Sequence, residues 1–207
     1  KGTDYTVAYE NNTSAGEATV KVTGKGNYTG TVSAHFNIVR TPISPEVTMN
    51  GYTYGGTPAT PSVSGNTGKG TVTFFYKEKD AADDTYTETV PKNGGEYTVK
   101  AVVAETDLYE QGIATADFTV SKIPITVKPV EGQNKSFGYK DPTLTFTATG
   151  LIAEDEGKES EIFAGALSRE EGEELGEYDI KQGTFGLSDT YANNYDLSYD
   201  DTTVTFE

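Results

Sequence analysis

Apolar and polar residues alternate in short blocks along almost the whole chain. Ala18, Val20 and Val22 alternate with Thr19, Lys21 and Thr23. Tyr97, Val99, Ala101 and Val103 alternate with Thr98, Lys100 and Val102. Leu144, Phe146 and Ala148 alternate with Thr143, Thr145, Thr147 and Thr149. Neighbouring side chains of an extended strand point to opposite faces, so this period of two predicts strands with one buried and one wet face. The many Thr and Val residues suit such strands, because β-branched side chains fit a pleated surface. Asn50-Gly51, Gly55-Gly56, Gly65-Asn66, Asn93-Gly94-Gly95 and Asp141-Pro142 separate the blocks and read as turns. Many short strands with such punctuation predict an all-β chain of sandwiches or compact sheets. Only residues 168–176 carry helix signals. Ser168 could cap, Glu171 stands three residues on and Gly176 could stop the helix, but Gly172 interrupts it. A turn or one short helical turn is expected there.

The blocks repeat. Gly16-Glu17-Ala18-Thr19-Val20-Lys21 returns as Gly95-Glu96-Tyr97-Thr98-Val99-Lys100 and as Gly176-Glu177-Tyr178-Asp179-Ile180-Lys181. Each copy is followed by a tyrosine (Tyr28, Tyr109, Tyr195) and then by an apolar run: Val32-Ala34-Phe36-Ile38, Ala116-Phe118-Val120 and Val204-Phe206. A spacing of about 80 residues predicts an array of small β modules, each long enough for its own core. Phe36, Phe118, Phe206, Tyr97 and Tyr178 are expected to be buried, and the three recurring tyrosines to be corner and core residues. Lys21, Lys100 and Lys181 should face outward. Val39-Arg40-Thr41-Pro42-Ile43 and Ser121-Lys122-Ile123-Pro124-Ile125 read as short proline-containing crossings. They divide the chain into a partial module at 1–40, a module at 41–122 and a module at 123–207. Lys1-Gly2-Thr3-Asp4-Tyr5 enters a strand with no room for earlier strands of its own. The first segment is therefore expected to be part of a longer protein and to leave an apolar face and a sheet edge uncovered.

Composition narrows the function. The chain has no cysteine, so disulfides and zinc-thiolate sites are excluded. A cysteine-free, Thr/Gly/Tyr-rich β chain suits a bacterial exterior. A net charge of -16 opposes binding to nucleic acid and to anionic membrane surfaces. No apolar run is long enough for a membrane span, so direct insertion is not expected.

At this point the residues resemble known families. Gly51-Tyr52-Thr53-Tyr54-Gly55-Gly56-Thr57-Pro58 and Thr71-Val72-Thr73-Phe74-Phe75-Tyr76-Lys77 resemble immunoglobulin-like repeats of bacterial surface proteins, and residues 2–39 resemble the back half of such a module. Phe137-Gly138-Tyr139-Lys140-Asp141-Pro142, Gly165-Ala166-Leu167-Ser168-Arg169-Glu170-Glu171-Gly172-Glu173 and Gly176-Glu177-Tyr178-Asp179-Ile180 resemble the modified β-grasp repeat of bacterial surface proteins. Phe137 stands where that family usually has Tyr. The resemblance implies tandem immunoglobulin-like and modified β-grasp modules in an elongated, secreted or cell-surface repeat protein. It implies a stalk or spacer whose partners are neighbouring domains of the same chain. The alternatives are an adhesin that binds host or mucin glycans, and an accessory domain of a polysaccharide-degrading enzyme.

Candidate chemistry is sparse. His35 is the sole histidine and stands between Ala34 and Phe36, so it points to solvent and completes no catalytic set. The acidic groups Asp80-Asp83-Asp84, Glu154-Asp155-Glu156, Glu170-Glu171-Glu173-Glu174 and Asp196-Asp200-Asp201 lack calcium-loop spacing and read as solvated surface. No catalytic residue, metal site or cofactor is expected, and the chain reads as non-enzymatic. The recurring lysines invite a lysine–asparagine crosslink, but their outward direction favours a role against edge aggregation. Tyr52 and Tyr54, expected on one face of a short strand near glycines, are the candidate ligand contacts, since aromatic rings stack on sugars.

Overall fold

The computed structural model describes residues 2–200 and 205–207. Val204 and Asp201 therefore lie outside the described residues. The chain is all-β apart from a 3-10 turn at Asp83–Thr85 and one helical turn, α1 (Glu159–Ile162).

Three modules succeed one another. The first is a meander of β1 (Tyr5–Glu10), β2 (Gly16–Gly24) and β3 (Thr31–Ile38). The second module holds β4 (Glu46–Thr48), β5 (Tyr52–Thr53), β6 (Ser62–Ser64), β7 (Val72–Glu78), β8 (Gly95–Val103) and β9 (Gly112–Ser121). Its main sheet runs β5-β9-β8-β7, with β5 parallel to β9, and β4 and β6 form a separate two-stranded lid. The third module holds β10 (Ile123–Pro129), β11 (Phe146–Thr149), α1, β12 (Phe163–Ala164), β13 (Ser168–Arg169), β14 (Tyr178–Lys181), β15 (Gly186–Leu187), β16 (Tyr195–Tyr199) and β17 (Thr205–Phe206). Its sheets run β11-β10-β16, with β10 parallel to β16, then β13-β14-β17, and β12-β15.

The repeated phrase is repeated in register. Ala18 faces Phe36, Tyr97 faces Phe118 and Tyr178 faces Phe206. On the other edge Val20 faces Tyr9, Val99 faces Tyr76 and Ile180 faces Arg169. A one-residue slip would turn each strand's apolar set to the wrong face, so a shared register means a shared core geometry.

Two cores result. Val47, Met49, Tyr76, Val99, Ala101, Phe118 and Val120 form one, closed by the β4–β6 lid. Ile125, Val127, Ile162, Phe163, Phe185, Tyr195 and Phe206 anchor the other. Phe118 and Phe206 are buried as expected, at 6% and 1% exposure. Phe36 is not: it is 40% exposed, because no layer covers the apolar face of β1–β3 among the described residues. The expectation of a buried Tyr28 also fails, at 63% exposure, and Tyr109 is half-buried, whereas Tyr195 is a core residue. Tyr97 and Tyr178 are half-buried rather than buried. Lys181 is exposed, but Lys21 and Lys100 are half-covered on the polar face, Lys21 by its ion pair with Glu10 and Lys100 by the Tyr86 ring 3.7 Å from its Nζ. Residues 168–176 form no helix. Ser168–Arg169 pairs with β14, and the single α turn lies at Glu159–Ile162 instead. His35 is exposed and bonds only Thr19 on its own sheet, with Glu17 alongside.

Candidate functional site: a tyrosine–carboxylate joint

Tyr52 and Tyr54 are placed by the short β5 strand, which joins the edge of β9 as Tyr52↔Val120 and Thr53↔Ser121. The strand ends at once, because the Tyr54 N–H bonds Ser121 O (2.9 Å) and Gly56 N–H closes a turn on Thr53 O (2.9 Å). Gly55 holds this turn at φ +69°, where a side chain would also meet Ile152 at 2.8 Å.

The two rings go to different cores. Tyr52 stacks on Phe118 (6.0 Å, 25°) inside the second module and donates its hydroxyl to Pro91 O. Burial, with Tyr97 and Tyr76 alongside, pushes its hydroxyl pKa up to about 12. Tyr54 crosses into the third module. Its ring meets the Tyr195 ring edge-on (5.4 Å, 79°) and its hydroxyl donates to Asp155 Oδ2 at 2.8 Å.

Asp155 is the centre of this joint. It is 2% exposed, and accepts from Tyr195 Oη (2.7 Å) and Tyr54 Oη, while Lys158 Nζ stands 3.3 Å from Oδ1. Burial alone would raise its carboxyl pKa, but the three donors outweigh that and hold it below the ordinary carboxylate range. The hydroxyls of Tyr54 and Tyr195 are both pushed well up, first by burial and then by their bonds to the carboxylate. Around the joint, Gly94 N–H donates to buried Asn194 Oδ1 (2.9 Å) and Lys122 Nζ reaches Ala192 O (2.6 Å). A Cβ at Gly94 would lie 1.8 Å from Asn193 O, so only glycine permits this approach. β9 and β10 are separated by Lys122 alone.

The sequence reading thus found Tyr52 and Tyr54 but paired them, whereas the chain brings together Tyr54, Asp155 and Tyr195. Asp155 does not belong to a solvated acidic surface, the part first expected for it. Its signal in the sequence was weak: an acid flanked by acids, with Ile152 three residues before.

A second charged cluster sits at the far end of the third module. Arg169 donates from Nε and Nη2 to both oxygens of Asp141 (2.8 and 2.9 Å), and Lys135 Nζ lies 2.7 Å from Asp141 Oδ1. The guanidinium also lies over the Phe206 ring (5.2 Å). These bonds hold the Asp141 carboxyl down at about 2, against an ordinary value of 3.8. A depressed folded-state pKa contributes stability that is complete above about pH 4 and lost as the pH falls towards 2. Asp141→Asn should therefore flatten the acid limb of third-module unfolding between those values, as followed by NMR. An unchanged acid limb would remove Asp141 from the account.

Among the described residues no three His, Asp or Glu side chains are grouped as metal ligands would be. Among the described residues no helix is long and apolar enough to cross a membrane. No curated protein and no solved structure matches the chain. Residues 125–205, the module that supplies Asp155 and Tyr195, match the family model described as the MBG domain (YGX type), a typically non-catalytic domain characteristic of bacterial surface repeat proteins.

Proposed function

We propose that this chain is a non-enzymatic spacer segment of a bacterial cell-surface or secreted repeat protein, and that it displays a distal domain away from the envelope. The observation that carries the reading is the placing of the joints. Ala15, Arg40 and Thr41 bond Asp107, Thr106, Leu108 and Glu110, in the loop after β8, at 2.8–3.0 Å. Tyr54, Gly94 and Lys122, at the other end of the same sheet, hold the third module. β8 is nine residues long, so the joints stand about 30 Å apart. Backbone bonds at one end and a buried carboxylate at the other restrict swivelling, which a spacer needs.

The joint's turn recurs. Tyr139 N–H closes on Ser136 O (3.1 Å) as Gly56 does on Thr53, so Phe137-Gly138 takes the place of Tyr54-Gly55. Phe137 is 72% exposed, a second knob of the kind that Tyr54 forms. The shared register further supports one design for residues 41–122 and 123–207, in place of the immunoglobulin-like reading of the former. Tyr52 and Tyr54 carry a structural role in this account, since both rings are packed and both hydroxyls donate within the chain. A glycan array probed with the protein should stay blank.

Small-angle scattering tests the spacer. A compact globule of this length has a radius of gyration of about 17 Å. The expected value is clearly larger, with a distance distribution skewed to long vectors. A value near 17 Å would overturn the reading.

A further inference from the structure

One face of the β1–β3 sheet is apolar and largely uncovered among the described residues, although Ala18 on it is fully buried. Val7, Tyr9, Val20, Val22, Ala34 and Phe36 share it, because the pairs Val7↔Val22, Tyr9↔Val20, Val20↔Ala34 and Ala18↔Phe36 stand directly opposite. The other face is polar, with Glu17, Lys21 and His35. An open groove of about 450 Å³ runs over the apolar side past Tyr5, Tyr28 and Val32.

The second module shows what such a face takes. Tyr9, Val20 and Ala34 correspond pair for pair to Tyr76, Val99 and Ala116, and Phe36 to Phe118. Even the ring geometry is shared: Tyr9 meets Phe36 edge-on at 6.5 Å and 84°, and Tyr76 meets Phe118 at 6.2 Å and 84°. In the second module Val47, Met49 and Val63 lie over this face, and Tyr52 stacks on Phe118. The lid also borrows an edge, since β5 adds in parallel to β9 at Val120. The counterpart of Val120 is Ile38, on β3, which is an edge strand.

We propose that the β1–β3 face is the docking site of a β lid with the chemistry of residues 46–64. That lid has two short antiparallel strands with aliphatic residues at the Val47, Met49 and Val63 positions. An aromatic follows the first strand, on a segment that joins β3 in parallel near Ile38. Residues 46–64 stand ahead of β7, and a lid of that chemistry joined ahead of β1 in the same way would meet the face in the same geometry. A second copy of the chain is the poorer occupant: it would bring a net charge of -16 against -16, and a copy laid face to face would leave the β3 edge unpaired.

The test is the chain extended by a copy of residues 42–70 placed directly ahead of Asp4, the position equivalent to Thr71. Hydrogen exchange at Val20, Val22 and Ala34 should slow roughly tenfold or more, and binding of an apolar dye such as ANS should fall. An extension carrying Val47→Asp, Met49→Asp and Val63→Asp in the added copy should do neither. The Val99 and Ala101 amides report in each case that the rest of the chain is folded. Unchanged exchange with the unmodified lid would overturn the proposal, as would equal protection by the charged lid. So would sedimentation showing that the unextended chain dimerises with Val20 and Ala34 already protected, which would assign the face to a second copy.

Discussion

Replacing Asp155 by alanine is expected to separate the third module from the second and to destabilise the third by about 2–5 kcal/mol. The change leaves the buried Tyr195 hydroxyl without its acceptor and strips the Tyr54 hydroxyl of its partner across the joint. Lys158 is half-covered and can turn to water, so its loss adds little. Tyr54→Phe removes one bond of the joint but leaves Asp155 paired with Tyr195 and Lys158. It should weaken coupling while changing third-module stability by about 1 kcal/mol or less. Denaturant unfolding followed through NMR signals of each module distinguishes the two effects. Wild-type unfolding of the third module in the Asp155→Ala protein would mean that the carboxylate is not the centre of the joint.

Phe118→Ala and Phe36→Ala should differ sharply although the two residues hold the same place in the repeat. Phe118 contacts Tyr52, Tyr76 and Tyr97 at 5.7–6.2 Å under the lid, so its removal empties a closed core and should cost about 3–5 kcal/mol. Phe36 touches Tyr9 on an open face and should cost about 1 kcal/mol or less. Equal costs would show that the β1–β3 face is covered in solution, and the hydrogen-exchange pattern at Val20 would then say so directly.

The strands, their faces and the threefold phrase were legible because alternation and repetition are local properties of a sequence. The register Tyr97↔Phe118 follows from the phrase and the apolar run once both are seen to recur. The helical reading of 168–176 was overridden by pairing: Ser168 and Arg169 gain ladder bonds to β14, and Arg169 gains Asp141 as well. Burial of Phe36 and Tyr28 could not be inferred from register alone, since burial needs a second layer and register describes one sheet. Asp155 was hidden for a related reason. Its partners Tyr54 and Tyr195 stand about a hundred and forty residues apart in sequence, on either side of it, and nothing local marks an acid that will be buried.

The parallel pairing of β10 with β16 has a consequence under load. Ile123 to Val127 run alongside Tyr195 to Tyr199 in the same direction. If the chain is pulled from its two ends, the entering strand is drawn back while the strand near the exit is drawn forward. The ladder is then strained in shear, and its hydrogen bonds bear the force together instead of opening one after another as in a peeled hairpin. The pair is buried on one side by Ile125, Val127 and Tyr195, which keeps water from replacing bonds as they lengthen. In a single-molecule pulling experiment the third module should yield at higher force than the β1–β3 meander, whose open apolar face leaves its ladder bonds accessible to water as they lengthen.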